Sequence, residues 1–386
     1  MTRTDAYGMV TAIEALGPKT GGRADEIDDA ARLPPDVAAG LASTGITRGF
    51  APAEVGGAEL AVADYVDAVE RLGYHEASLG WCAMISCTTS LLSGYVPEPW
   101  IEPLFGSAGV TLGGFAGSMG QATSVERGIT VTGQWPWGSG SYNCDWIGGG
   151  VRPPKDPVYL DGEGRQLRAP FVFFARDQVE LLDTWRVAGL KGTGSTDYAV
   201  TDALVPDGRW ADMAYGPRID RTLYRFPFFG ALAVGVAAVT LGIARRAVDD
   251  FVELATVKKP SMSSRTLAER QVIQAEVALA EAAWRSGRAF LDQAIADAWA
   301  ATEQGTVGDS AKVLLRLAAV NATERAAYAV DRCYHGAGGS AVYLDNPLQR
   351  HFRDVHVATQ HAMVAPRLNE VLGRARLGLP TDFAGL

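Results

Sequence analysis

The stretch Trp135-Pro-Trp-Gly-Ser-Gly-Ser141 brings two indoles, two hydroxyls and two glycines into seven residues. Indole faces offer contact area to a planar ligand, and hydroxyls add directional hydrogen bonds. The same composition also suits a β-turn over buried aromatics, so the stretch alone leaves both readings open. The acid–base candidates are five histidines: His75, His335, His351, His356 and His361. The last three recur every five residues. Five residues turn a helix through about 140°, so these rings face different sides and build no metal face. One histidine near neutrality can still hold or pass a proton. Gly336-Ala-Gly-Gly339 has the glycine density of a dinucleotide loop. Such a loop needs a strand before it and a helix N-terminus after it. Here a long helical pattern precedes the glycines, which reads as a helix stop and tight turn. No HExxH, GxSxG or Walker loop occurs.

The elements that would position these groups fall into three zones. Residues 1–108 read as helices, with an amphipathic stretch at 24–41 and another at 61–74, where Val62, Tyr65, Val66, Val69 and Leu72 recur at helical spacing. Pro52-Ala-Glu-Val-Gly-Gly57 breaks the run between them. Residues 109–225 form a β domain, with strand composition at 129–132, 171–174, 198–201 and 203–205. Residues 226–386 return to helix, at 267–299, 311–334 and 348–372. Strands and helices are segregated, so the class is α+β, mainly α. Segment 226–244 is uncharged and long enough to span a membrane. Pro227, Gly230, Gly235 and Gly242 interrupt it, which suits a helix packed closely inside a bundle.

The chain of 386 residues is 47% hydrophobic, enough for a large core, and carries a net charge of −9 without a long basic run. Phosphate neutralisation needs clustered Lys and Arg, so nucleic acid is not an expected partner. Cys82, Cys87, Cys144 and Cys333 form no CxxC pair, so neither a zinc site nor a disulfide framework is expected. The start of the chain has no apolar signal core, and a reducing cytoplasm is the expected compartment.

Arg332-Cys-Tyr-His-Gly-Ala-Gly-Gly-Ser340, then Pro347-Leu-Gln-Arg350, Arg353-Asp354 and His361-Ala362, resembles the C-terminal helical region of acyl-CoA dehydrogenases. Pro52-Ala-Glu-Val-Gly-Gly57 is similar to the Pro-x-x-x-Gly-Gly signature of that superfamily. Trp185-Arg-Val-Ala-Gly-Leu-Lys-Gly-Thr-Gly-Ser-Thr196, running on to Val205-Pro206, is similar to the strand region closing its β domain. Trp137 and Trp146 match two tryptophans of its flavin-contacting segment. The likeness runs from about Pro52 to Met363. In the dehydrogenases the base often sits nine residues after that Arg; nine from Arg353 is Ala362, whose methyl accepts no proton. The closer likeness is to reduced-flavin-dependent monooxygenases of two-component systems, which share a Trp-x-x-Ser-Gly stretch and an Arg-Asp/Asn…His helix. This chain has Trp137-Gly-Ser139-Gly140, one residue shorter, and Arg353-Asp354…His361.

The resemblance implies an N-terminal helical domain (1–108), a central β-barrel or sandwich domain (109–225) and a C-terminal four-helix bundle (226–386). It implies reduced FMN or FAD with O2, a flavin C4a-hydroperoxide, and hydroxylation of an aromatic or polycyclic natural-product-type substrate. Ser139 takes the place of the hydroxyl at flavin N5, and His361 matches the histidine near the flavin. Trp137, Phe115, Gly338 and Gly339 join the cofactor set, with Arg265, in the loop before a long helix, as the candidate for the flavin phosphate. Trp81 and Met84 are candidate substrate walls. No metal is expected. A separate NAD(P)H-dependent flavin reductase, a homo-oligomer (a tetramer) and no membrane partner are further implications. The alternative is an acyl-CoA dehydrogenase with FAD, its base displaced to Glu276 or Glu281.

Overall fold

The computed structural model describes residues 3–305, 307–383 and 385–386. Helices α1 (Arg3–Gly21), α2 (Ala24–Ala30), α3 (Pro35–Ser43), α4 (Val62–His75), α5 (Ala77–Ser90) and α6 (Glu98–Phe105) open the chain. The single helix expected at 24–41 is two. Ala31 turns into the left-handed region at φ 48, and Pro35 starts α3 at a position where its missing N–H costs nothing.

The β region follows as β1 (Leu112–Val125), β2 (Gly128–Gly138), β3 (Trp146–Arg152), β4 (Pro170–Ala175), β5 (Glu180–Leu181), β6 (Thr196–Pro206) and β7 (Trp210–Asp212). Among the described residues these form one seven-stranded sheet, in the order β5-β6-β2-β1-β3-β4-β7. All neighbours are antiparallel except β1 with β3. Trp135 is fully buried here, stacked 5.4 Å from Tyr198 with its Nε1 donating to Gly150 O at 2.9 Å. It belongs to the sheet core, apart from any ligand surface.

A single turn, α7 (Thr222–Arg225), leads to α8 (Phe228–Val257), α9 (Gln271–Glu303), α10 (Asp309–Ala337), α11 (Pro347–Ala358) and α12 (Leu368–Arg376). The apolar window of α8 is 78% buried inside the protein. Helices from both ends of the chain share one apolar core, in which Tyr65, Val69 and Leu72 pack with Val234, Val239 and Ile243. Gly338 caps α10 at φ 57, a backbone conformation that favours glycine. The helix expected over 348–372 is broken after Ala358. Ala365 precedes Pro366, which disfavours the helical region there. His361 and Ala362 therefore lie on a turn between α11 and α12.

Candidate functional site

Ser139 lies just past the end of β2, where Trp137 (φ 58) and Gly140 (φ 73) turn the chain sharply. Gly140 N donates to Thr193 O at 2.8 Å, tying this turn to the loop before β6. Ser139 is 5% exposed, and its Oγ lies 2.6 Å from Ser195 Oγ. Ser195 Oγ lies 2.7 Å from Thr193 Oγ1, which donates to Leu190 O at 2.8 Å. From the other side Trp81 of α5 donates its Nε1–H to Ser139 Oγ at 3.1 Å.

Arg353 and Asp354 of α11 clamp that loop. Leu190 N donates to Asp354 Oδ1 at 2.6 Å, and Arg353 Nη1 donates to Ala188 O at 2.6 Å. A Cβ on Gly189 would lie 2.5 Å from the Arg353 backbone, so only glycine permits this approach. Burial raises the Asp354 carboxyl to about 6, although the Leu190 N–H bond opposes the shift. Glu76 caps α5 by accepting from Leu79 N at 2.6 Å. Burial, then the charge of Asp354, push its carboxyl up to about 7.

His361 sets its ring edge-on to Trp81, 5.4 Å away at 75°. Its Nδ1 accepts from Met363 N at 3.3 Å, so a neutral ring carries its proton on Nε2. Desolvation, then the like charge of Arg316, hold this imidazole down at about 4, while part of the residue stays open to solvent. It is neutral at pH 7. Ala362 beside it is exposed and offers no proton acceptor. Glu281 is tied to Arg245 (2.6 Å) and Arg285 (2.7 Å), and Glu276 lies 3.4 Å from Arg332.

The structure thus brings Ser139, Trp81 and His361 together. Phe115 and Trp137 lie beside each other, ring centres 5.8 Å apart, with Trp137 61% exposed. Trp146 instead faces the Arg209 guanidinium at 5.6 Å. Met84 points away, fully buried against Gly235 of α8. Arg265 is exposed in the loop before α9, and Gly338 and Gly339 are exposed at the end of α10. None of these three makes a hydrogen bond to Ser139, Trp81 or His361 among the described residues. His351 pairs with Asp250 at 2.8 Å and His356 with Asp331 at 2.9 Å. No group of three or more His, Cys, Asp or Glu able to hold a metal occurs among the described residues. Sequence reasoning missed Thr193, Ser195 and Glu76. A usable signal was present: Gly192-Thr-Gly-Ser195 repeats the glycine–hydroxyl alternation of Gly138-Ser-Gly-Ser141.

Comparison with known proteins finds two family domains, two relatives and a similar solved structure. Residues 16–97 match the acyl-CoA dehydrogenase N-terminal domain, and residues 234–366 match the acyl-CoA dehydrogenase C-terminal domain. The chain is 32% identical over 364 residues to indole-3-acetate monooxygenase of Pseudomonas putida, covering 92% of this chain and 90% of that one. It is 29% identical over 392 residues to the flavin-dependent monooxygenase oxygenase subunit HsaA of Rhodococcus jostii, with 95% and 98% covered. The crystal structure of 3-HSA hydroxylase from Rhodococcus sp. RHA1 superposes with a TM-score of 0.87 at 26% identity, covering 97% and 98%.

Proposed function

We propose a reaction for this chain, which belongs to the acyl-CoA dehydrogenase superfamily and, within it, to the flavin-dependent monooxygenase oxygenase components. It hydroxylates an electron-rich aromatic molecule, using reduced flavin and dioxygen. The observation that carries this reading is the meeting of Ser139, Trp81 and His361, from three distant segments, beside an alanine at 362.

The residues present fit a flavin. Trp137 is held in a left-handed backbone conformation with most of its indole exposed and Phe115 at its side, a surface suited to a planar ring. Ser139 sets a nearly buried hydroxyl close by. Bound and reduced, a flavin would supply the activation of dioxygen needed to put one oxygen atom on the substrate.

The protein's own groups do the rest. Ser139 would offer its hydroxyl to the N5 edge of the ring, and Trp81 holds Ser139 in place and would wall the substrate side. His361 acts through Nε2–H, positioning the oxygen to be transferred. As the neutral ring with Nδ1 already engaged, it serves as a donor; it presents no free nitrogen to act as a base. Buried apolar side chains beside Ser139, including Leu41, Cys82, Leu112 and Cys144, exclude water that would divert oxygen to free peroxide. Arg265, Gly338 and Gly339 are the candidates for the phosphate end. An added Cβ on either glycine would meet nothing within 4 Å, so the turn has room for a ligand.

A separate reductase supplies the reduced flavin, in keeping with relatives described as oxygenase subunits or components. Exposed Val342, Tyr343 and Leu344, in the connection from α10 to α11, support assembly into an oligomer, in our reading a tetramer. Indole-3-acetate monooxygenase, the relative at 32% identity, points to a substrate of aromatic-acid or indole size.

The test supplies reduced FMN or FAD from a generic reductase under 18O2 and screens aromatic acids, indoles and polycyclic phenols by mass spectrometry. One labelled oxygen per product is expected. Ser139→Ala and His361→Ala are expected to lower product by about tenfold or more, the usual weight of one catalytic hydrogen bond, while free peroxide rises. Anaerobic bleaching of bound FAD by an acyl-CoA thioester would instead establish the dehydrogenase alternative.

A further inference from the structure

We infer that Ser195 and Thr193 set the redox preference of the flavin site, by fixing Ser139 as a hydrogen-bond acceptor. The inference rests on the reading above, in which Ser139 faces the flavin ring.

It follows from counting protons along one chain of contacts. The chain runs Trp81 Nε1, Ser139 Oγ, Ser195 Oγ, Thr193 Oγ1, Leu190 O, with steps of 3.1, 2.6, 2.7 and 2.8 Å. Its ends have fixed roles: an indole N–H only donates, and a carbonyl oxygen only accepts. Four protons serve four contacts. If every contact carries one, a single arrangement remains: Ser139 donates to Ser195, Ser195 to Thr193, and Thr193 to Leu190 O. Water does not compete, because Ser139, Ser195 and Thr193 are 5%, 4% and 2% exposed. The accepting end is held in place, since Leu190 N is bonded to the buried Asp354.

Ser139 therefore has no proton to give. One of its two lone pairs takes the Trp81 N–H, and the other is left for the ligand. The isoalloxazine ring distinguishes its redox states at N5. Reduced N5 carries a hydrogen and donates; oxidised N5 is a bare lone pair and accepts. An acceptor fixed opposite N5 bonds the reduced ring and opposes the oxidised ring with a second lone pair. This suits an oxygenase that captures reduced flavin from solution and releases the oxidised form. Ser195 and Thr193 are positioning residues, acting through Ser139.

The experiment measures anaerobic dissociation constants of the same flavin, oxidised and reduced, by fluorescence and absorbance titration, without turnover. The native protein is expected to hold reduced flavin at least about tenfold more tightly, the worth of one hydrogen bond gained against one opposed. Ser195→Ala frees the Ser139 proton to rotate toward the ligand. It is expected to narrow the ratio about fivefold or more, chiefly by strengthening oxidised-flavin binding. Thr193→Val should act in the same direction, and Ser195→Thr should keep the native ratio. In the Ser139→Ala background, adding Ser195→Ala should leave the ratio unmoved. Melting curves of each variant confirm that it is folded. If Ser195→Ala weakens both redox forms in parallel, or leaves the ratio unchanged, the inference is wrong while the proposed function stands. If the native protein binds neither form, both fall together.

Discussion

The crossing of α4 with α8 and the junction around Ser139 are both buried, yet they are held by different means. The crossing is held by area. Val69 and Leu72 meet Val239 and Ile243 in one apolar core, glycines 73 and 242 bring the two backbones close, and glycine 235 makes room for the Tyr65 side chain. No single contact there is decisive. The junction is held by single bonds: Asp354 to Leu190, Gly140 to Thr193, Trp81 to Ser139. The core spreads its stability over many small terms, whereas the site concentrates its geometry in a few polar links without a substitute.

That contrast is open to test. The largest expected effect is in the core. A Cβ on Gly242 would fall 2.3 Å from Glu70 O, a backbone atom of α4. Gly242→Val is therefore expected to cost about 3 kcal/mol in urea unfolding, through overpacking that the backbone cannot relieve. A cost under about 1 kcal/mol would mean that the helices slide apart freely, and the contrast would fail.

A smaller effect belongs to the junction and shows in its pH dependence. Glu76 and Asp354 are raised from 4.5 and 3.8 to about 7 and about 6 in the folded protein. A raised carboxyl contributes stability that is complete below its unfolded value and is lost as pH rises through its folded value. The native protein is expected to lose about 2 kcal/mol from Glu76 between pH 5 and pH 8. Glu76→Gln keeps an oxygen for Leu79 N without the charge, so its stability should vary less over that window. Equal slopes in native and variant, by urea titration at both pH values, would remove Glu76 from the account.

The smallest effect concerns a buried polar group on α10, outside both regions. Arg316 is 1% exposed; among the described residues its Nε and Nη1 have no hydrogen-bond partner, while Nη2 donates to Phe229 O and Gly385 O. Burial lowers its guanidinium to about 10. Arg316→Met should raise the urea midpoint, by about 1 kcal/mol of stability, because an unpaired buried charge costs more than it returns. A clear loss would show that its carbonyl bonds govern the tail.

The same contrast explains what could be read from the chain. The apolar segment with Gly230, Gly235 and Gly242 declared a buried helix because its pattern is local. Ser139 and His361 were singled out by resemblance to short family motifs, each within its own segment, and the fold sets both beside Trp81. The break after Ala31 was not, since it depends on one alanine adopting a left-handed turn. Thr193 and Ser195 escaped because their importance arises only when a loop 56 positions away folds against Ser139. Met84 was read as a wall because α5 is buried on nearly every side. Periodicity in such a helix does not tell which face meets the site.

The turn carrying His361 and Ala362 has a consequence for how such proteins diversify. It joins two helices, and its exposed Ala362 can be exchanged while Val364, two residues on, stays packed in the core. On the proposed reading, a carboxylate gained at 362, or a methyl left in its place, would decide whether the pocket removes hydrogen or delivers oxygen. Natural variation should therefore find new reactions at this short connection more readily than in the helices it links.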